Sequence, residues 1–200
     1  LFVVGEERGS DGAVAANAIP NRSRYLINGE PTDNRLASAT RGVLRVRLRA
    51  QGRAAHSSVP SEGESAIDKL LDALIQLRTL PLPTDPDLGS TFYTIGLIEG
   101  GVAPNVVSPH ASAEVMFRTV GPADVVLDVL RRIENLVTAE EVLRVRPIKM
   151  HTVAGFDAQV FPFTTDVPFL DAWGAPLLFG PGSILVAHTD GECLALDDLA

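Results

Sequence analysis

Gly42-Val43-Leu44-Arg45-Val46-Arg47-Leu48-Arg49-Ala50 is the stretch on which the fold turns. Leu44, Val46 and Leu48 alternate with Arg45, Arg47 and Arg49, and a period of two with one apolar and one charged side is that of a half-buried strand in a sheet with one wet face. Downstream, Ala66, Ile67, Leu70, Leu71, Leu74 and Ile75 fall on one face of a helix that ends before Pro81 and Pro83. Two strands are expected next, over residues 91–98 and 112–119, the second with Val115 and Phe117 facing opposite to Glu114 and Arg118. Gly121-Pro122 opens a second helix, with Pro122 at its first position and Val125, Val126, Val129, Leu130, Ile133 and Val137 on its apolar side. A last strand over residues 142–150 completes the order strand, helix, strand, strand, helix, strand, which is the split βαβ or ferredoxin-like arrangement.

On either side the character changes. Residues 1–40 carry an apolar segment, Leu1-Phe2-Val3-Val4, that reads as a buried strand, then a Gly-rich turn, an Ala-rich segment and a short strand at 25–27, the rhythm of a parallel α/β layer. From residue 151 onward, polar and Gly-rich loops alternate with short apolar pieces, so the outer layer resumes. The expected organisation is therefore an α/β domain at 1–40 and 151–200, interrupted by an α+β domain at 41–150. The chain is expected to start inside a domain and to stop in the first turns of a helix near its C-terminus.

Composition narrows the function. A hydrophobic content of 46% supports a packed core, and a formal net charge of −8 argues against a surface made for nucleic acid or anionic lipid. Cys193, the single cysteine, cannot form an intrachain disulfide, and no apolar run reaches the roughly 20 residues of a membrane span. A soluble cytoplasmic protein is expected.

Three places carry acid or imidazole groups at the ends of apolar runs, where α/β folds place their chemistry: Glu6 and Glu7 in Gly5-Glu6-Glu7, Glu30 in Gly29-Glu30-Pro31-Thr32, and His188 in Ala187-His188-Thr189-Asp190. Each alone reads as readily as a turn carboxylate or a capping histidine. Together, carboxylates and an imidazole suit zinc or a related divalent ion.

The ordered set of motifs resembles the M20 metallohydrolases, which include acetylornithine deacetylase and succinyl-diaminopimelate desuccinylase. Val3-Val4-Gly5-Glu6-Glu7 and Gly29-Glu30-Pro31-Thr32 come first, then Gly52-Arg53-Ala54-Ala55-His56-Ser57-Ser58-Val59-Pro60. They are followed by Ile98-Glu99-Gly100-Gly101-Val102-Ala103-Pro104-Asn105-Val106-Val107, Phe117-Arg118, Phe179-Gly180-Pro181-Gly182 and Ala187-His188-Thr189-Asp190-Gly191-Glu192. The resemblance implies a zinc-hydrolase α/β catalytic domain with an inserted ferredoxin-like dimerisation domain, two divalent metal ions (zinc, with cobalt as an alternative) and a homodimer. It implies Glu6 as general base, Glu7 and His188 as ligands of one ion and Glu30 as ligand of the other. His56 would polarise the scissile carbonyl, commonly in a partner subunit's cleft, and Asn105 and Arg118 would hold the substrate's carboxylate end. His110 and His151 match no ligand position and read as structural.

A histidine and a bridging aspartate that the family supplies upstream are not in this chain, so the chain alone is expected to be inactive. The activity implied is metal-dependent hydrolysis of the amide of an N-acyl amino acid, nearest to acetylornithine deacetylase. Succinyl-diaminopimelate desuccinylase, an M20 peptidase and a non-catalytic dimerisation module are the alternatives.

Overall fold

The computed structural model describes residues 2–6 and 9–199. The chain forms two compact units, one from Gly42–Arg146 and the other from the segments on either side of it.

Numbered in chain order, the elements are α1 (Asp11–Asn17), β1 (Tyr25–Asn28), β2 (Leu36–Thr40), β3 (Gly42–Gln51), α2 (Ala66–Leu77), β4 (Thr84–Asp85), β5 (Gly89–Ser90), β6 (Phe92–Gly100), β7 (His110–Thr119), α3 (Ala123–Leu130), β8 (Thr138–Val145), β9 (Ile148–Lys149), β10 (Ala158–Phe161) and β11 (Ala175–Leu178).

The central unit is a four-stranded antiparallel sheet in the order β6-β7-β3-β8. Its alternation follows the sequence: Leu44, Val46, Leu48 and Ala50 of β3 are buried, as are Ala111, Ala113, Val115 and Phe117 of β7. With Leu70, Ala73, Leu74 and Leu77 of α2 and Val126, Leu130 and Ile133 they make one core. The other face is wet and carries cross-strand ion pairs, Arg47 Nε to Glu114 at 3.1 Å and Arg49 Nε to Glu140 at 2.8 Å. Ser65 caps α2, its hydroxyl accepting from the Asp68 N–H at 3.1 Å. This is the ferredoxin-like α+β arrangement.

The details depart from the periodicity in several places. On α2, Ile67, Leu71 and Ile75 do not share the buried face; they are 37%, 47% and 62% exposed, because the core takes the stripe through Ala66, Leu70, Ala73, Leu74 and Leu77 and leaves this i, i+4, i+8 stripe beside it. Pro122 is the N-cap of α3 and not its first helical residue: its ψ of 132° is extended. α3 ends at Leu130 and a single 3₁₀ turn follows at Arg131–Ile133. The final strand starts at Thr138, earlier than the reading at 142, and stops at Val145. Pro147 cannot donate to a ladder, and beyond it Ile148–Lys149 pairs antiparallel with β2 instead. The small β4–β5 hairpin was not foreseen; the Asp85 carboxylate accepts from the N–H groups of Asp87 and Leu88, both at 2.8 Å.

In the other unit β1 runs parallel to β11 and β10 parallel to β2, with β9 antiparallel on the far side of β2. Phe161, Leu178, Met150, Val167 and Ala37 form its larger core cluster. The expected strand at the N-terminus is absent among the described residues. Val4 is 78% exposed, and the carbonyls of Val4 and Gly5 accept from Gly12 and Ser10, at 3.0 and 2.8 Å. Those backbone groups are thus committed to the start of α1 and not to a ladder. Near the C-terminus the expected helix is reduced to a 3₁₀ turn at Leu196–Leu199.

Candidate active-site residues

In the outer unit, Glu6 is half-buried and follows Gly5, whose φ of 83° turns the chain out of the apolar segment. Glu7 lies outside the described residues. Glu30 is half-buried at the end of β1, where its N–H donates to the Asn28 side-chain carbonyl at 3.1 Å.

The Glu30 loop is tied to the loop after β11 through Thr32, which is fully buried. The Thr32 hydroxyl donates to the Gly180 carbonyl at 3.2 Å and accepts the Gly180 N–H at 3.0 Å, while the Thr32 N–H donates to the same carbonyl at 3.1 Å. Gly180 has no room for a side chain: a Cβ would sit 2.3 Å from the Gly29 carbonyl and 2.4 Å from that of Glu30. Gly180, in the Phe179-Gly180-Pro181-Gly182 motif, therefore forms the wall against which the Glu30 backbone rests. Thr32 was given no role in the sequence reading, although it stands in the quoted motif.

His188 is exposed and takes the left-handed conformation, φ 61°. Its N–H donates to the Glu192 carboxylate at 2.9 Å, and the Glu192 N–H donates back to the Thr189 carbonyl at 3.0 Å, so the loop closes on itself. Carboxylates and an imidazole are the right donors for zinc, yet among the described residues no three His, Cys, Asp or Glu side chains come together as a metal site. Glu6, Glu30 and His188 do not by themselves gather around an ion.

In the central unit the loops of His56 and Asn105 lie side by side. Val106 forms a β-bridge with His56, the Ser57 N–H donates to the Asn105 carbonyl and the Val107 N–H to the Ala55 carbonyl, both at 2.9 Å. Both loops leave the sheet at the end where Gln51 pairs with His110.

Arg118 is elsewhere. It pairs with Val43 and Phe92 at the opposite end of β7, eight positions from His110, which at the rise of an extended strand is roughly 25 Å. Arg118 and the Asn105 loop thus lie towards opposite ends of β7 within one copy. Arg118 is partly buried and has no carboxylate partner among the described residues, and burial pulls the pKa of its guanidinium below the usual value. His110 begins β7, and the His151 ring lies tilted against that of Tyr25, with centroids 5.3 Å apart.

Residues 38–143 match the family profile described as the M20 peptidase dimerisation domain. A Peptidase M20 domain-containing protein of Schizosaccharomyces pombe is 36% identical over 204 residues, covering all of this chain and 51% of that protein. A protein of Aspergillus flavus named probable carboxypeptidase is 39% identical over 230 residues, covering all of this chain and 54% of that one. Among solved structures, a tripeptidase from Staphylococcus aureus superposes with a TM-score of 0.75 at 20% identity, over 98% of this chain and 59% of that one. The aminopeptidase PepT of Bacillus cereus gives a TM-score of 0.75 at 19% identity, with the same coverage. These two likenesses establish the fold alone: a mixed α/β architecture with a dimerisation domain. The chain belongs to the M20 peptidase family, and it spans about half the length of the curated relatives it matches.

Proposed function

We propose that the protein to which this chain belongs is a metal-dependent hydrolase that cleaves an amide bond next to a free carboxylate, in a peptide or an N-acyl amino acid. The observation that carries the reading is the pairing of the His56 and Asn105 loops within a domain of the M20 type, where the backbones of these two exposed residues are held side by side. The names of the relatives, probable carboxypeptidase among them, favour a peptide. An acetylornithine-like deacetylase is the second reading, supported by the run Gly5-Glu6-Glu7-Arg8-Gly9-Ser10-Asp11-Gly12-Ala13. A cytoplasmic location goes with both; no helix among the described residues is long and apolar enough to cross a membrane.

In this reading Glu7 and His188 serve one divalent ion, zinc or cobalt, and Glu30 serves a second. The chain's own residues divide the remaining work. Glu6 takes the proton of the attacking water and returns it to the leaving nitrogen. His56 donates to the oxyanion, and Asn105 holds the substrate beside it. Arg118 supplies a fixed planar fork for the terminal carboxylate, and because it stands at the far end of the sheet, it serves with His56 and Asn105 of a second copy.

A homodimer is thus part of the reading. The edge strand β6, with Leu97 and Ile98 exposed, and the outward stripe of α2 supply an apolar surface for it.

The test is expression of the full-length protein and assay against dipeptides, tripeptides, N-acetylornithine and succinyl-diaminopimelate with zinc or cobalt. Hydrolysis that is abolished by chelation and by Glu6→Ala is expected; inertness of a well-folded, metal-loaded dimer on the whole panel would overturn the reading.

A further inference from the structure

We propose that Ser58 is a positioning residue for His56, holding its imidazole in the tautomer that carries the proton on Nε2. The inference rests on His56 acting as oxyanion donor in the reading above, and deepens it.

The Ser58 backbone N–H donates to His56 Nδ1 at 3.2 Å, and the Ser58 hydroxyl oxygen lies 2.8 Å from the same atom. A backbone N–H can only donate, so Nδ1 must accept, and a neutral imidazole with Nδ1 as acceptor carries its proton on Nε2. The hydroxyl, free to rotate, then donates to Nδ1 as well.

The ring sits on a fixed frame. The Val59 N–H donates to the His56 carbonyl at 2.9 Å, and the neighbouring strand-like contacts to Asn105 and Val106 hold the backbone on both sides. Among the described residues, all the polar contacts of the imidazole are at Nδ1, and the residue is exposed. What His56 offers outward is therefore an N–H and not a lone pair. Such a group stabilises negative charge growing on a carbonyl oxygen; it cannot take a proton or bind a metal ion through Nε2 while neutral. A sequence reading finds the histidine but not its protonation pattern, which is set two residues on.

The experiment is long-range ¹H–¹⁵N correlation of the histidine ring nitrogens in the full-length protein, with His56 assigned by the signals lost in His56→Gln. Ser58→Asn and Ser58→Asp are matched in size, but an amide can still donate to Nδ1 whereas a carboxylate only accepts and, as the stronger partner, draws a proton onto Nδ1 in place of the 3.2 Å bond from the backbone N–H. Wild type and Ser58→Asn are expected to show the Nε2–H pattern, and Ser58→Asp a protonated Nδ1. At a pH where the spectrum shows the Ser58→Asp ring neutral, its kcat should fall towards that of His56→Gln, itself down about 100-fold for the loss of one oxyanion donor, with KM little changed.

Wild type with the proton on Nδ1, identical ring patterns in the Asp and Asn variants, or equal kcat in those two variants would each overturn the proposal. If His56→Gln itself leaves kcat intact, the role given to His56 fails, while the spectra still decide whether Ser58 sets its tautomer.

Discussion

At the scale of single residues the sharpest constraint is Gly180. Its φ is unexceptional, so flexibility is not why it is glycine; space is, because the backbone carbonyls of Gly29 and Glu30 occupy the place of a Cβ. Gly180→Ala must push the two loops apart, and the expected cost is about 1–3 kcal/mol, the usual penalty of overpacking. Thr32→Val keeps the volume and removes only the hydroxyl, leaving the Gly180 N–H without its acceptor, for about 1–3 kcal/mol. Urea denaturation of the full-length protein would measure both, and metal titration should show weaker binding in Gly180→Ala if Glu30 is a ligand. Unchanged stability in both variants would mean that the loop contact is not tight. The motif Gly29-Glu30-Pro31-Thr32 was legible in the sequence, but its dependence on a glycine 150 positions away was not. Close approach of two backbones leaves no periodic trace in a chain.

At the scale of elements, the alternation in β3 and β7 was legible because each strand has one dry face and one wet face, and burial enforces that period. The N-terminal apolar run was misread for the opposite reason: hydrophobicity alone does not say whether a neighbour is there to pair with. β2 escaped notice because Leu36-Ala37-Ser38-Ala39-Thr40 is built mainly of small residues with weak strand preference.

On α2 the reading merged two stripes into one, and the leftover stripe supports a prediction. Leu71→Arg lies between Ile67 and Ile75 on the exposed side, so it should shift the full-length protein from dimer to monomer in sedimentation. Its urea midpoint should barely move beyond the shift due to dissociation, because the residue lies outside the buried stripe of Ala66, Leu70, Ala73, Leu74 and Leu77. A persistent dimer would assign that stripe to some other use.

Surface carboxylates of the same domain respond to acid. Hydrogen bonds from Arg144 hold Asp124 below the ordinary carboxylate range, Arg49 does the same for Glu140, and Lys69 for Glu64. Because these pKa values are lower in the folded state than in the unfolded chain, the stability they contribute is complete above the ordinary carboxylate pKa. It is lost as pH falls through the depressed values. All three groups sit at the surface, so the loss should be small and should shrink in high salt. Urea midpoints measured from about pH 6 down to about pH 3, with Arg144→Met as control, would test it: the variant should lose less stability on acidification than wild type.

For the molecule as a whole, the two units differ in how the chain builds them. Gly42–Arg146 is contiguous, and its eighteen-residue buried cluster draws on both helices and on the two central strands of its sheet. The other unit is assembled from two separated segments, and its buried clusters are small. It also leaves large apolar side chains such as Phe2, Ile27, Leu185 and Leu196 exposed. Opening of the discontinuous unit should therefore need less free energy than opening of the contiguous one, since fewer apolar contacts must be broken. When the 200-residue chain is treated briefly with a nonspecific protease, cuts are expected first in the flanking segments. A core with ends close to residues 42 and 146 should persist, identified by mass and retaining the circular dichroism of a mixed α+β domain. Cuts that begin inside α2 or β7 would mean that stability does not follow continuity here. A core that survives but fails to dimerise would place part of the dimer contact outside the ferredoxin-like domain, and so would count against the proposal that this domain's surface brings Arg118 of one copy to His56 of another.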